Sequence, residues 1–162
     1  PYNGYVPART LGLQATDSQG YAIDAWGTRI RYAVTTANSN AFTTTNGMRT
    51  AGIATLVPDL HVCASSTGIA ATDCGTATDL TGSTSTKWAP AVIYSLGPNW
   101  ATGGTSADEA ANPNPNSTNN DQVFVYHTRS DSGTATGEFD DIVTWLSVNV
   151  LLSRMVSAGQ LP

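Results

Sequence analysis

The chain has 162 residues and a mass of 16.8 kDa, which suits one domain over residues 1–162 with a single modest core. Twelve acidic residues stand against six Arg and a lone Lys87, a net charge of −5, and this excludes binding to nucleic acid or an anionic membrane surface through clustered cations. The polar surface comes instead from 24 Thr and 14 Ser.

Pro1 follows neither an initiator Met nor a signal-like stretch, so the chain reads as a processed or truncated product. Residues 1–27 are punctuated by Pro1, Gly4, Pro7, Gly12, Gly20 and Gly27 and read as a loop-like lead-in. Over residues 28–36, TRIRYAVTT alternates Ile30, Tyr32 and Val34 with Arg29, Arg31 and Ala33, the period of a half-buried strand. Residues 37–55 read as a long surface connection. Residues 56–63 predict a short strand that Pro58 confines to an edge or its beginning, and residues 88–96 (WAPAVIYSL) a central one. Residues 97–121 carry GPN, GG and NPNPN runs that sustain neither helix nor ladder. Two further alternating runs, 122–129 and 139–146, are joined by SDSGTATG as a predicted hairpin.

The clearest helix is the last element. Ser147 stands at its cap, Val148, Leu151, Leu152, Met155 and Val156 form one stripe expected to face the sheet, and Gly159 and Pro162 stop it. Its longest apolar run is broken by Ser153 and Arg154 and falls far short of the roughly 20 residues of a membrane span. The expected class is α+β, an antiparallel sheet of about four strands covered on one side, with a C-terminal helix.

Cys63 and Cys74 flank a Ser/Thr/Gly-rich segment without apolar periodicity, and a disulfide is the economical reading, with two buried free thiols as the alternative. It implies an oxidising compartment. Ten intervening residues do not match a metal knuckle.

Few residues favour catalysis. His61 and His127 are the available bases, neither beside a nucleophile elbow, and both sit in strand patterns that suit structural histidines. Asp140 and Asp141 would serve as an acid/base pair only if both faced one cleft, whereas neighbours on a strand point to opposite faces; a role in a turn or at the start of a strand fits better. No phosphate-binding glycine loop occurs. The segment 96–121 gathers Gly97, Asn99, Gly103, Gly104, Asp108, Glu109 and Asp121, a set of oxygens that can wrap a hard cation such as Ca²⁺ or remain a solvated loop.

Four pieces in order, DAWGTRIRYAV (24–34), CASSTGIAATDC (63–74), APAVIYSLGPN (89–99) and FDDIVTWLS (139–147), resemble the soluble head of type IV pilin-like proteins, in particular the major pseudopilin of type II secretion. The resemblance spans about residues 5–162 and implies a pilin-like globular head that acts in assembly rather than catalysis. Trp26 and Gly27 would form a packing corner clamping the lead-in to the sheet. The resemblance further implies an extracellular filament or a periplasmic pseudopilus built from copies of the chain. Each copy would be completed by a long apolar helix, removed here or supplied as a short separate chain, and only that helix would meet a membrane before assembly. An apolar groove should receive it, with Trp26, Trp88, Trp145, Leu151 and Met155 as lining candidates. By position, the Leu96 carbonyl, Asn99, Asp108 and Asp121 are the implied calcium ligands. A minor pilin that binds a ligand at a filament tip is the alternative role.

Overall fold

The computed structural model describes residues 1–102, 104, 106–112, 121–135 and 137–161. Gly103, most of the NPNPN run and Pro162 therefore lie outside the described residues. In chain order the elements are β1 (Tyr2–Tyr5), α1 (Ala8–Leu11), β2 (Arg31–Val34), α2 (Ala37–Asn40), α3 (Gly47–Ala51), a 3₁₀ turn (Ile53–Thr55), β3 (His61–Cys63), β4 (Ala91–Ser95), α4 (Ala107–Ala110), β5 (Val123–Val125), β6 (Ile142–Leu146) and α5 (Val148–Ser157).

The main sheet is antiparallel throughout, in the order β1-β2-β4-β6. Its best-patterned strands fall inside the predicted segments. The lead-in, however, is not a loop. Tyr2–Tyr5 pairs with Arg31–Val34 as an edge strand, and the Tyr32 ring lies against Gly4, where a side chain would have to displace it. The connection 37–55 likewise carries two short helical turns and a 3₁₀ turn.

The predicted hairpin between β5 and β6 does not form; only an isolated bridge, Ser130 to Phe139, survives from it. β5 instead pairs in parallel with β3, His61 opposite Val123, as a separate two-stranded sheet. All three residues of each short strand are buried, as expected for parallel strands covered on both faces.

This pair closes the inner face of the main sheet. Alternation along β2, β4 and β6 puts Ala33, Val92, Tyr94 and Val143 on that face, where they form one core with Leu60, Val62, Ala89, Leu96 and Phe124. Tyr94 and Phe124 meet with ring centroids 5.3 Å apart, a spacing that favours tilted aromatic pairs. The opposite face is only partly covered. Val6, Ala8 and Ala22 of the lead-in pack with Ile30 and Tyr32, leaving Ile93, Ile142 and Leu146 of β4 and β6 exposed at 43%, 54% and 37%.

The C-terminal helix is present where the pattern placed it, but its stripe does not face the sheet. Leu151, Leu152 and Met155 pack with Ala41, Met48, Leu56 and Leu161, so the helix covers the 37–56 connection. Ser147 occupies the cap position without a side-chain cap bond. Among the described residues no helix is long and apolar enough to cross a membrane.

Candidate functional site

Three segments converge on one cavity of about 370 Å³: the turn after β4, helix α4, and the residues that run into β6. The cavity is lined by Arg31, Leu96, Trp100, Glu109, Asn112 and Asp141, among others. β4 ends with Ser95 on the outer face, opposite Ile142, and Gly97 turns the chain at φ +62°, a left-handed conformation that suits glycine. A Cβ on Gly97 would collide with Asp140 Oδ1, so the turn needs glycine for space as well. Helix α4 is held at its start by Ser106, whose Oγ accepts the Glu109 N–H at 3.1 Å. That cap fixes Glu109 inward, 2% exposed.

Asp140 and Asp141 precede β6 rather than belonging to it, so strand alternation does not separate them. Both are buried, and each offers an oxygen within 4.8 Å of one on Glu109. Both stand at the entry to β6, the position expected for one of them, but not on opposite faces: they join Glu109 in a three-carboxylate cluster. Asn112 ties the cluster to β5: its Nδ2 donates to Asp141 Oδ2 (2.7 Å) and to Val125 O (3.1 Å), and its Oδ1 accepts the Val125 N–H (2.8 Å). Glu109 Oε1 accepts the Asp140 N–H at 3.0 Å and Asn99 Nδ2 at 3.1 Å.

Crowding three acids out of water disfavours their charged forms. Burial, with the charges of Glu109 and Asp140 adding, raises the Asp141 carboxyl to about 7, although the Asn112 amide opposes the shift. Burial and then the Glu109 charge also raise Asp140. Two acceptors here, Asp140 Oδ1 and Asn99 Oδ1, are buried without a hydrogen-bond partner among the described residues. Unmet acceptors beside crowded carboxylates are the donor chemistry that can hold either a proton or a hard cation.

Of the ligands that the resemblance implied, Leu96 and Asn99 lie at this cavity. Asp108 does not face it: Oδ1 accepts the Ser66 N–H at 2.6 Å and Oδ2 sits 3.1 Å from His127 Nε2. Asp121 accepts the Val123 N–H at the opposite end of β5 from Asn112. Sequence reasoning missed Asp140 and Asp141 as members, and the signal that could have found them was the third carboxylate, Glu109, on a short capped helix within the loop.

The packing candidates are also redistributed. Trp26 is 44% exposed. Asp24 makes that corner instead, accepting the Trp26 and Thr28 N–H groups and the Ser95 Oγ–H at 2.6 Å, with Gly27 at φ +80°. Trp88 lies tilted against His61, Trp145 packs against the inner core, and Leu151 and Met155 belong to the α5 cluster. The exposed apolar face is lined by Ile30, Ile93 and Ile142 with Thr144, beside Asp24 and Ser95. The disulfide between Cys63 and Cys74 is present.

Comparison with protein-family models, with curated proteins and with solved structures finds no match for this chain.

Proposed function

We propose that this chain is a non-enzymatic structural subunit of an extracellular type IV pilin-like filament or pseudopilus, its sheet completed by an apolar helix from an upstream segment or a separate short chain. The observation that carries the reading is the uncovered face over β4 and β6. There Ile93, opposite Thr144, and its neighbours Ile142 and Leu146 share one exposed face. Fully burying such a side chain is worth about 1.5–3 kcal/mol, and from near half exposure the three together contribute about 3 kcal/mol to docking. A helix fits because it presents one apolar stripe to a flat sheet face and satisfies its own backbone.

Calcium belongs to the same reading. Carboxylates of Glu109, Asp140 and Asp141 with the side-chain oxygen of Asn99 offer the oxygen donors this ion takes, and Leu96, whose carbonyl would be a further donor, lines the same cavity. Bound there, it would neutralise the crowded acids and fasten the turn after β4 to the start of β6, the strand that borders the open face. The role as a tip binding module has one supporting feature, Trp100, 48% exposed at the rim of the same cavity.

The test is a photo-crosslinking side chain at position 142 in the native assembly. Capture of an apolar helical segment supports the proposal; a probe that stays in solvent within assembled filaments, or a chain that never enters them, refutes it.

A further inference from the structure

A second concentration of ligand-type side chains lies far from the carboxylate cavity in chemistry, around β3. His61 and Cys63, two residues apart on that strand, point to one face. The segment 78–80 lies alongside: Ala64 N–H donates to Thr78 O (2.9 Å), Leu80 N–H donates to Val62 O (2.7 Å), and Asp79 is the bridge partner of Cys63. Cys74 arrives through the disulfide. His61 Nδ1 sits 2.8 Å from Asp79 Oδ2. The other oxygen of Asp79 accepts the Thr81 N–H (2.9 Å) and Oγ1–H (2.6 Å), which fixes the carboxylate in its orientation. His61, Cys74 and Asp79 each offer a donor atom within 4.8 Å of the others, with Cys63 next to Cys74. Trp88 lies tilted against the imidazole with ring centroids 4.4 Å apart, and Val123, Ile69 and Ala77 pack with the two cysteines.

We propose that in its dithiol form the chain binds one zinc ion through the Cys63 and Cys74 thiolates, His61 and Asp79, and that disulfide formation withdraws the site. The inference is independent of the filament reading. Two sulfurs, one imidazole and one carboxylate make a closed tetrahedral set of the structural zinc type, and thiolate ligands select against calcium and magnesium. At bond lengths of about 2.0–2.3 Å, tetrahedral ligand atoms stand roughly 3.3–3.8 Å apart. In the oxidised chain the two sulfurs are bonded to each other and His61 Nδ1 lies 2.8 Å from Asp79 Oδ2, so both pairs must part to admit the ion, which the Ser/Thr/Gly segment between the cysteines can allow once the disulfide is cleaved. Thr81 acts as the outer partner that orients a ligating carboxylate.

The chemistry balances simply. Each newly made chain carries both cysteines as thiols; zinc replaces their two protons. Oxidation joins the sulfurs, passes two electrons to a thiol oxidant such as a disulfide, which takes up two protons to become two thiols, and releases the ion. Zinc and oxidant thus compete for the same pair, and occupancy should slow closure of the disulfide.

The experiment uses the full chain held reduced by a phosphine, which cleaves the disulfide to two thiols and leaves as its oxide with the oxygen of water, in excess calcium to saturate the carboxylate cavity. Cobalt(II) is the spectroscopic probe. The expected result is one equivalent with thiolate charge-transfer absorption and the intense visible bands of tetrahedral cobalt, bleached by zinc, and no such absorption from the oxidised chain. Asp79→Asn and His61→Gln should each weaken zinc binding at least about tenfold, the usual range for disturbed metal shells being 10–100-fold. A reduced chain that gives only octahedral cobalt, variants that bind zinc as tightly as the parent, or a reduced chain that is unfolded by circular dichroism and gains no structure with zinc would each overturn the proposal.

Discussion

Replacing Asp141 by Asn measures what three carboxylates in one cavity cost the fold. In the folded chain burial raises this carboxyl from its usual 3.8 to about 7. The unfolded chain releases the proton near the usual value, so between those pH values the folded chain holds a proton that the unfolded chain has lost, and stability falls as pH rises. The contribution is complete at low pH and gone above about 7; the drop between pH 5 and 8 amounts to about 3 kcal/mol and the whole effect to about 4 kcal/mol. Asn keeps the shape, still accepts the Asn112 N–H through Oδ1, and has no charge to desolvate. Without calcium, Asp141→Asn should therefore be more stable than the parent at pH 8 by up to about 4 kcal/mol, raising Tm by about 8–15 °C for a chain of this size. Calcium narrows the gap. A hundredfold excess over Kd adds about 2.7 kcal/mol to the parent at pH 8, and the variant should gain little of it. Urea denaturation at pH 5 and 8, with chelator and with calcium, reads all four quantities. If the calcium-free parent is more stable at pH 8 than at pH 5 while the variant is not, or if both gain equally from calcium, the account of this cavity is wrong.

Other positions give sharper structural checks. Changing both Cys63 and Cys74 to Ala opens a loop of about 12 residues and should cost about 3 kcal/mol by the chain-entropy model, seen as a lower urea midpoint. Phe124→Ala removes a fully buried ring lying against Tyr94 where the small sheet meets the large one, and should cost about 3–5 kcal/mol in the same assay. Ile142→Thr, on the open face, should leave the isolated chain within about 0.5 kcal/mol of the parent yet abolish assembly into filaments; a loss of stability equal to that of a core substitution would place Ile142 in the core instead.

The alternation in TRIRYAVTT and the stripe from Val148 to Met155 were legible because each is local: one face of a strand or helix is buried and the period says which. β1 was not, since Asn3 and Gly4 carry no strand preference and become extended only by pairing with β2 and lying under Tyr32. The hairpin expectation failed for a related reason. A short link permits antiparallel neighbours, but Phe124 gains more by filling the space over Tyr94 beside β3 than by pairing with β6. The carboxylate cavity was half visible. Leu96, Asn99 and Glu109 share one loop, while Asp140 and Asp141 come from 31 residues or more beyond Glu109, and only the turn before β6 frees both to face the same way.

The parallel pairing of β3 with β5 also governs how the molecule forms. His61 and Val123 are 62 positions apart, and joining the ends of so long a loop costs about 4 kcal/mol of chain entropy before any contact repays it. Within the main sheet β1 and β2 join partners close in the chain, such as Tyr5 and Arg31, but β2 and β4 join partners 63 positions apart, Arg31 and Tyr94, so the central strand pair and the layer that seals the core carry the same closure cost. Until β5 is made and delivered, Val62, Tyr94 and Leu96 lie open to water. A chain halted before residue 125 lacks β6 as well as the completed cover, and leaves the inner face of β2 and β4 exposed.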